Sequence, residues 1–519
     1  SADREAAAIL EGRGGPLREA RERDRVFPSP PDPASEGAVP AGTEREPPVE
    51  VPATMTLQDA LRIGIAANRD YRDEVEGLTL SALALSGVRY EFSPRLEATL
   101  SYLVGNSTGA ERADTARAAA SVSQVLPTGG TITVSGQEDG SKEEVPGRAF
   151  ASDSTVAALL RQPLLKGAGY ESSHEALTQA ERDVVYALRD FERFREQFLL
   201  DVTSRYFAIL AQRIRVRNFE ERFESVQFQT AQAEALFQIG RQDKLEVLRV
   251  QNDLLSVEND LLDARDALSL AIDQFKVFLG LPTTARFEFA EATPEFLRVD
   301  VSLSSAVEAA LSNRYDLANA RDRLEDAERG LRIARRNLLP DLALEASWRA
   351  TSGERTGWLH DPTRGQASSL GLVLDLPLQQ TLERNAYRTS EIALEKQRRD
   401  YERFRDDVVV EVRETLRRLR QAAVSLEIQT RIIALEEKRS EKAQLDFEAG
   451  TIGNRDLIEA QQSLLDAKNE RVNRVVEYEL ARISLERSMG TLEVEPDGTW
   501  RALRAPAAGG VAGGEGGNP

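Results

Sequence analysis

The chain has 519 residues, no cysteine and two histidines, and its 86 acidic against 67 basic side chains give a net charge of −19. A disulfide framework, a zinc cluster and a cysteine nucleophile are therefore excluded. The acidic balance argues against a nucleic-acid partner, which needs clustered basic side chains. No stretch reaches the roughly 18–20 continuous apolar residues of a membrane-spanning helix. We expect no enzyme, no metal and no cofactor.

The two ends of the chain differ in composition from the rest. Residues 1–53 are rich in proline among charged and small side chains, which favours an extended or mobile arm. Residues 496–519 are rich in glycine and offer too little apolar surface to offset the entropy cost of ordering. We expect a Pro-rich N-terminal arm and a disordered C-terminal tail on either side of the ordered chain.

The ordered part contains two copies of one plan. The residues that follow Thr56 recur after Ser302, an offset of 246, and those around Gly240 recur around Gly450, an offset of 210. Matches that keep their order at constant offsets indicate an internal repeat. The predicted repeats span residues 54–299 and 300–495.

Each repeat has the pattern of a helix, then strands, then a long helix, a turn and a returning helix. Thr56 and Ser302 are N-cap residue types, and each opens a helix that we expect to continue until near Pro94 or Pro340. After each proline the apolar period changes from about 3.6 to 2, which predicts strands. The alternating positions are Leu96, Ala98, Leu100 and Tyr102, then Val156, Ala158 and Leu160, then Leu342, Leu344, Ala346 and Trp348, then Leu370, Leu372, Leu374 and Leu376.

Strands of about ten residues with one apolar face have the dimensions of transmembrane β-strands. A soluble β-sandwich with one wetted face gives the same alternation, so the strands alone leave both structures open. The helices favour the first. Apolar residues at coiled-coil spacing predict long helices near 171–237 and 382–447, with antiparallel partners near 245–279 and 457–489. A helix of about 66 residues spans roughly 100 Å, which is too long for a compact globule.

Four to six strands cannot close a barrel within one chain, and unpaired strand edges are not tolerated in lipid. Closure must therefore come from several identical chains arranged in a symmetric ring. The prediction is a hollow assembly in which strands cross a membrane and helices extend from it.

Several motifs occur together in this order. They are the paired S/T-L-x-x-A openings, the Ser93-Pro94 and Leu339-Pro340 junctions, the Gln162-Pro163-Leu164-Leu165 strand exit and the two F-x-x-G turns. With them the chain resembles, over about residues 54–495, the outer-membrane efflux factor family of TolC-like proteins. The resemblance implies a mixed α and β membrane protein, a homotrimer whose shared β-barrel in outer-membrane lipid continues as an α-helical coiled-coil barrel in the periplasm. It also implies a passive conduit of a tripartite efflux or type I secretion system, docked to a periplasmic adaptor protein and an inner-membrane pump or ABC transporter.

The resemblance assigns site residues only at the helical tips. The implied adaptor-docking turns contain Phe237, Gly240, Phe447, Gly450 and Thr451. The implied tunnel-mouth carboxylates are Glu246, Asp456 and Glu459, which threefold symmetry would repeat as rings of negative charge. The same residues also have a simpler interpretation, in which the glycines only form turns and the carboxylates are only solvated helix residues. Ile452 stands where the type member has an arginine, and Arg249 replaces one expected carboxylate, so the family's salt-bridge latch is in doubt.

An additional alternating pair near residues 121–125 and 131–134 surrounds the hairpin signal Pro127-Thr128-Gly129-Gly130. The family norm is four strands per chain and a twelve-stranded barrel, whereas six strands per chain would give eighteen. We favour twelve strands, with this hairpin as a decoration outside the barrel.

Two other classes of function remain. An enzyme finds no support, since His174-Glu175 lacks the second histidine of the metalloprotease motif. A soluble coiled-coil spacer or adhesin stalk explains the helices but not the period-two segments that both repeats place alike. A spacer extracts in buffer alone, whereas a barrel requires detergent.

Overall fold

The computed structural model describes residues 51–105, 113–143, 151–290, 299–353, 355–356, 361, 365–449 and 451–495. Residues 1–50 of the predicted arm and the whole predicted tail lie outside these ranges. Across the described ranges, no helix combines the length and the apolar character needed to cross a membrane.

The elements follow one another in the predicted order. The first half contains β1 (Thr54–Met55), α1 (Leu57–Ala67), α2 (Arg69–Glu91), β2 (Arg95–Gly105), β3 (Ala113–Val125), β4 (Thr131–Glu143), β5 (Ala151–Pro163), α3 (Tyr170–Ser173), α4 (Glu175–Gln238), α5 (Lys244–Phe278) and β6 (Glu288–Phe289). The second half contains α6 (Leu303–Asn313), α7 (Tyr315–Arg336), β7 (Asp341–Thr351), β8 (Arg355–Thr356), β9 (Gly365–Asp375), α8 (Thr381–Glu448) and α9 (Asn454–Ser488). The bounds of β2 and β7 differ by the sequence offset of 246, and those of α5 and α9 by 210. The predicted long helices and strands are confirmed.

The chain forms two compact units. The sheet unit contains Gly77–Leu188 and Asn319–Arg403, and therefore all the long strands. The helical unit contains Arg189–Ala318 together with the described residues 51–76 and 404–495.

The sheet unit holds one antiparallel sheet in the order β2-β3-β4-β5-β7-β9, with β8 paired to β5. The expectation that the extra hairpin is a decoration is wrong. Its strands β3 and β4 lie inside the sheet, and β3 pairs with β2 from Arg95 to Gly105. A hairpin left outside would leave additional unpaired backbone groups at its own edges and at β2, so insertion into the sheet satisfies more hydrogen bonds.

One face of this sheet carries apolar side chains on all six long strands, and polar residues such as Asp114, Glu138 and Ser152 lie on it toward one end of β3, β4 and β5. Among the six long strands, even-numbered residues pair with even-numbered ones, as in Leu100 with Ala118 and Leu344 with Leu372, and odd with odd, so all their even positions share one face. That face carries Leu96, Leu100, Tyr102, Val122, Val134, Trp348, Leu370, Leu372 and Leu374, all of them exposed to solvent. The odd positions carry mostly polar side chains, including the ion-paired Arg117 and Asp139. The extra hairpin keeps this parity and therefore extends the same apolar face.

In the helical unit, the opening helix of each half is broken. The prediction of one helix up to Pro94 is wrong, because Asn68 adopts extended backbone (φ −65°, ψ 134°) between α1 and α2. Asn68 Nδ2 donates to the carbonyl of Phe278 (2.5 Å), and Asn68 Oδ1 accepts from the Tyr71 amide (2.7 Å). The second half breaks at the equivalent Arg314, where Arg314 Nη1 donates to the Ser488 carbonyl (3.3 Å).

Each break packs closely against a glycine that follows the returning helix. Gly280 (φ +78°) lies so near the α1–α2 break that a Cβ there would be 2.1 Å from the Ala67 carbonyl oxygen. Gly490 (φ +65°) lies against the second break, where a Cβ would be 3.0 Å from the Arg314 amide nitrogen. Both positions therefore need glycine, for the positive φ and for the close approach.

The cores of the helical unit lie along the predicted apolar stripes. One cluster joins three helices, with Ala306 and Ala310 of α6, Val408, Val412, Leu416 and Leu419 of α8, and Tyr478, Leu485 and Met489 of α9. In the first half, Tyr71 packs edge-on against Phe191 and Phe198 of α4. Thr56 caps α1 through a reciprocal bond with Asp59, as its residue type predicts.

Candidate functional site

The first predicted docking turn joins α4 to α5. Gly240 has φ +73°, its amide donates to the Phe237 carbonyl (2.9 Å), and the Arg241 amide donates to the Leu236 carbonyl (2.9 Å). This pair of bonds is the Schellman arrangement that ends a helix at a left-handed glycine. A Cβ at Gly240 would meet nothing within 4 Å, so the space beside the turn is open.

The second turn shares part of this geometry. The Thr451 amide donates to the Asp446 carbonyl (2.9 Å), the bond equivalent to Arg241–Leu236, and Thr451 Oγ1 donates to the same oxygen (2.8 Å). Gly450 lies outside the described residues. Phe447 and Ile452 pack against a buried cluster of Ala443, Leu457 and Ala460. The residue that replaces the family's arginine thus stabilises its own hairpin.

Four large apolar side chains are exposed around the first turn, and we call them the first-tip patch. Its members are Phe237 (43% exposed), Ile239 (65%), Leu245 (53%) and Leu248 (52%). The sequence analysis found only Phe237. The other three lie off the coiled-coil stripe, so an apolar residue next to a turn was the signal that could have revealed them. Clustered exposed apolar groups of this kind mark interaction surfaces.

The three predicted tunnel-mouth carboxylates lie near the starts of helices. Glu246 is in the first turn of α5 and pairs with Arg249, and Glu459 of α9 pairs with Arg439 (3.3 Å). Asp456 lies in the first turn of α9, is exposed, and makes no ion pair with any described residue. Carboxylates in a first helical turn are stabilised by the helix dipole, so Glu246 and Asp456 also have a local role.

The two hairpins are neighbours inside the helical unit. Asn218 Nδ2 of α4 donates to Asn469 Oδ1 of α9 (2.6 Å), and Gln229 Nε2 donates to Gln461 Oε1 (3.0 Å). Toward the tips, Ile458 of α9 packs on the cluster of Ala233, Val247 and Val250. The α4–α5 and α8–α9 hairpins therefore pack together along their length.

A buried charge group lies where four helical segments of this unit meet, and the sequence analysis did not identify it. Asp316 accepts from Arg314 (2.7 Å) and pairs with Arg193 (2.9 Å), while Arg314 also binds Glu411 (2.6 Å). The other two members of the group are Glu196 and Arg487. Burial works to raise the pKa of Asp316, but hydrogen bonds and charge from Arg314 and Arg193 hold it below its usual value. The members come from four separate segments, namely α4, the α6–α7 break with the start of α7, α8 and α9, so no local pattern reveals them.

Glu196 is a member of this group whose buried carboxylate has an unsatisfied oxygen. Its Oε2 has no hydrogen-bond partner among the described residues, and Arg193 Nη1 is 3.8 Å away. Burial raises the pKa of Glu196 to about 7, although Arg193 and Arg487 act to lower it. Because the folded pKa exceeds the unfolded value of 4.5, proton binding by Glu196 stabilises the fold at low pH, and this contribution is lost as the pH rises through 7.

We therefore expect Glu196→Gln to flatten the pH dependence of stability. Between pH 5.5 and 8, the wild-type free energy of unfolding should fall by about 2 kcal/mol more than that of Glu196→Gln. Urea unfolding of the purified protein at both pH values measures this difference. Glu414→Gln, an exposed change on α8, should leave the wild-type pH dependence in place. Equal slopes in wild type and Glu196→Gln would contradict the burial argument.

Part of the chain matches a known protein family. Residues 306–491 match the family model described as outer membrane efflux protein. Within those residues the chain is similar to outer membrane efflux proteins. The chain is also 28% identical over 364 residues to the alkaline protease secretion protein AprF of Pseudomonas aeruginosa, a match that covers 66% of this chain and 70% of AprF. The predicted resemblance to TolC-like outer-membrane proteins is confirmed.

Solved outer-membrane proteins share the fold of this chain. The Campylobacter jejuni CmeC channel matches with a TM-score of 0.64 at 13% identity, covering 84% of this chain and 85% of CmeC. The Vibrio cholerae outer membrane protein VceC matches with a TM-score of 0.62 at 13% identity, covering 84% of this chain and 96% of VceC. The fold is therefore that of solved outer-membrane channel proteins.

Proposed function

We propose that this chain forms a passive trimeric conduit for efflux or type I secretion, with a shared β-barrel in the outer membrane and a helical tunnel in the periplasm. The observation that carries the proposal is the sheet, which has one apolar, solvent-exposed face and ends in strands paired on one side only, among the described residues. A strand of 11 residues is about 36 Å long, enough to cross the hydrocarbon core when tilted. Neither feature is stable in water or lipid until other copies pair with the edges.

The two halves of the chain act in this proposal as the repeats 54–299 and 300–495. Equivalent elements at constant offsets give each chain two similar helical hairpins, so three chains supply six around a tunnel. The hairpin tips then form its mouth, where Glu246, Asp456 and Glu459 add negative charge on each chain.

The tips are the proposed docking site for a periplasmic adaptor. The first-tip patch offers exposed apolar surface, and the open space beside Gly240 admits another backbone. On the second hairpin, Phe447 is packed inward and Thr451 is exposed, so Phe447, Gly450 and Thr451 would contribute mainly through the shape of the turn. Energy for transport comes from the inner-membrane pump or ABC transporter that the adaptor serves. The name of AprF supports secretion alongside efflux for this chain.

The competing function is that of a soluble coiled-coil spacer. It would need polar side chains on both faces of the sheet, whereas the even-numbered face exposes Leu100 (85%) and Leu370 (74%). Planar bilayers separate the two. The purified protein should form cation-preferring channels, and the double variant Asp456→Asn with Glu459→Gln should weaken that preference. Absence of any channel from correctly folded protein would contradict the conduit.

The docking site is tested at Gly240. We expect Gly240→Arg to abolish export because its side chain fills the space beside the turn, whereas Gly240→Asn, a residue type that tolerates positive φ, should keep most of it. Export is measured in the source organism after replacement of its own copy, with trimer content followed on native gels. Gly353→Arg is the matched control, since Gly353 also has positive φ (+68°) and open space but follows β7. Equal export by Gly240→Arg and wild type would remove this turn from docking.

A further inference from the structure

The two outermost strands of the sheet, β2 and β9, have matching chemistry. Each pairs on one side only among the described residues, and each exposes large apolar side chains on the even-numbered face. Six antiparallel strands alternate in direction, so β9 runs opposite to β2. An edge β9 of one copy can therefore join an edge β2 of the next copy in antiparallel pairing without reversing either chain.

The internal repeat fixes the register of that junction. β5 and β9 begin 214 residues apart, at Ala151 and Gly365, and the prolines that follow their apolar alternation, Pro163 and Pro377, have the same offset. β7 corresponds to β2 end to end. Within the chain, β5 pairs with β7, with Leu160 opposite Ala346. Carried to the equivalent positions, this register places Leu374 of one copy opposite Leu100 of the next. The pairs that follow are Leu372 with Tyr102, Leu370 with Val104 and Val373 with Ser101.

The positions of the apolar side chains on β9 and β2 agree with this register. It joins even to even residues, so the apolar face continues across the junction and the polar face stays on the other side. A slip of one residue would place exposed leucines of β9 on the face that carries polar side chains in β2. The three apolar pairs bring together side chains that are all exposed in the single chain.

We propose that copies of this chain join β9 to β2 in this register, and that the extra hairpin makes the closed barrel eighteen-stranded. The proposal rests on the trimeric conduit and goes beyond it, because the family norm is twelve strands. Barrel diameter grows roughly linearly with strand number, so the lumen in the membrane is about 1.5 times as wide as a twelve-stranded one. The β3–β4 hairpin is the segment that sets this width.

The absence of cysteine allows a direct test by disulfide trapping in outer membranes. The double variant Ser101→Cys with Val373→Cys should give covalent dimers and trimers on oxidation, which reduction reverses. Within one chain the two strands are five strand spacings apart, about 24 Å, so a bond inside one chain is excluded. Leu159→Cys with Ser347→Cys is the equivalent pair within the chain and should close without linking copies.

The face control is Ser101→Cys with Leu372→Cys, whose side chains lie on opposite faces, and the slip control is Ser101→Cys with Gly371→Cys. We expect the in-register pair to exceed the face control at least about tenfold, because disulfides require Cα atoms within about 7 Å. If the Ser101→Cys, Val373→Cys protein fails to assemble, the double variant Thr99→Cys with Asp375→Cys tests the same register. Intact trimers without linkage, or stronger linkage in a control, would overturn the register and leave the conduit standing.

Strand number is then counted in an image reconstruction of the wild-type particle. Eighteen strands support the proposal, and a trimer with twelve overturns it. The absence of trimers would instead contradict the proposed function, so the two failures are distinguishable.

Discussion

Gly280→Ala should be among the most destabilising single substitutions in this protein. The new Cβ would lie 2.1 Å from the Ala67 carbonyl oxygen, and the backbone at φ +78° disfavours any side chain. Positive φ costs about 1–2 kcal/mol and overpacking about 1–3 kcal/mol, so we expect a loss of roughly 3 kcal/mol or more. Urea unfolding of the purified protein, followed by circular dichroism, measures the loss.

Substitutions at two other glycines provide stability changes with which this loss can be compared. Gly490→Ala should cost less, because its Cβ would be 3.0 Å rather than 2.1 Å from the nearest backbone atom. Gly77→Ala in α2 meets nothing within 4 Å and should stabilise by about 0.5–1 kcal/mol through helix propensity. If Gly280→Ala and Gly77→Ala behaved alike, the close approach at the α1–α2 break would not exist in solution.

Arg314→Met should cost about 3–5 kcal/mol, the range for removing one partner of a buried ion pair. The Arg314 side chain is 2% exposed and binds Asp316, Glu411 and the Ser488 carbonyl. Methionine keeps much of the volume but leaves the Asp316 and Glu411 carboxylates with less compensation. The pKa of Asp316 should then rise, because Arg314 holds it down, so the stability that ionised Asp316 contributes near neutral pH should be reduced.

Arg418→Met on α8 is the matched control, because its side chain is 69% exposed and pairs with an exposed Glu414. Surface pairs contribute at most about 1 kcal/mol, so this change should be nearly silent. Adding Asp316→Asn to Arg314→Met should recover part of the loss by removing a stranded charge. No recovery in the double variant would show that Arg314 acts through its contact with Ser488 alone.

Local patterns predicted most of the elements but not where they pair. The offset of 246 and the change of period after Pro94 located the strands, and the Gly129-Gly130 signal located the hairpin. Whether β3 and β4 enter the sheet depends on pairing with β2 and β5, which is non-local. The break at Asn68 was missed for the same reason, because its side chain is held by the Phe278 carbonyl, 210 residues away.

The site shows the same division. Gly240 and Phe237 were assigned through the resemblance to TolC-like proteins, in which the two F-x-x-G turns are local motifs of the sequence. Ile239 was missed because a residue next to a turn has no period to reveal its exposure. The pairing of Arg193 with Asp316 forms only when α4 and α7 come together, so neither residue differs in sequence from a solvated helix charge.

The mass of the intact particle in detergent tests the central claim most directly, that this sheet is completed only by identical copies. Native mass spectrometry of the extracted protein should give three times the chain mass of 57.4 kDa, converting to single chains on heating. A folded single chain, stable in plain buffer without detergent and showing native helix and strand content, would contradict it.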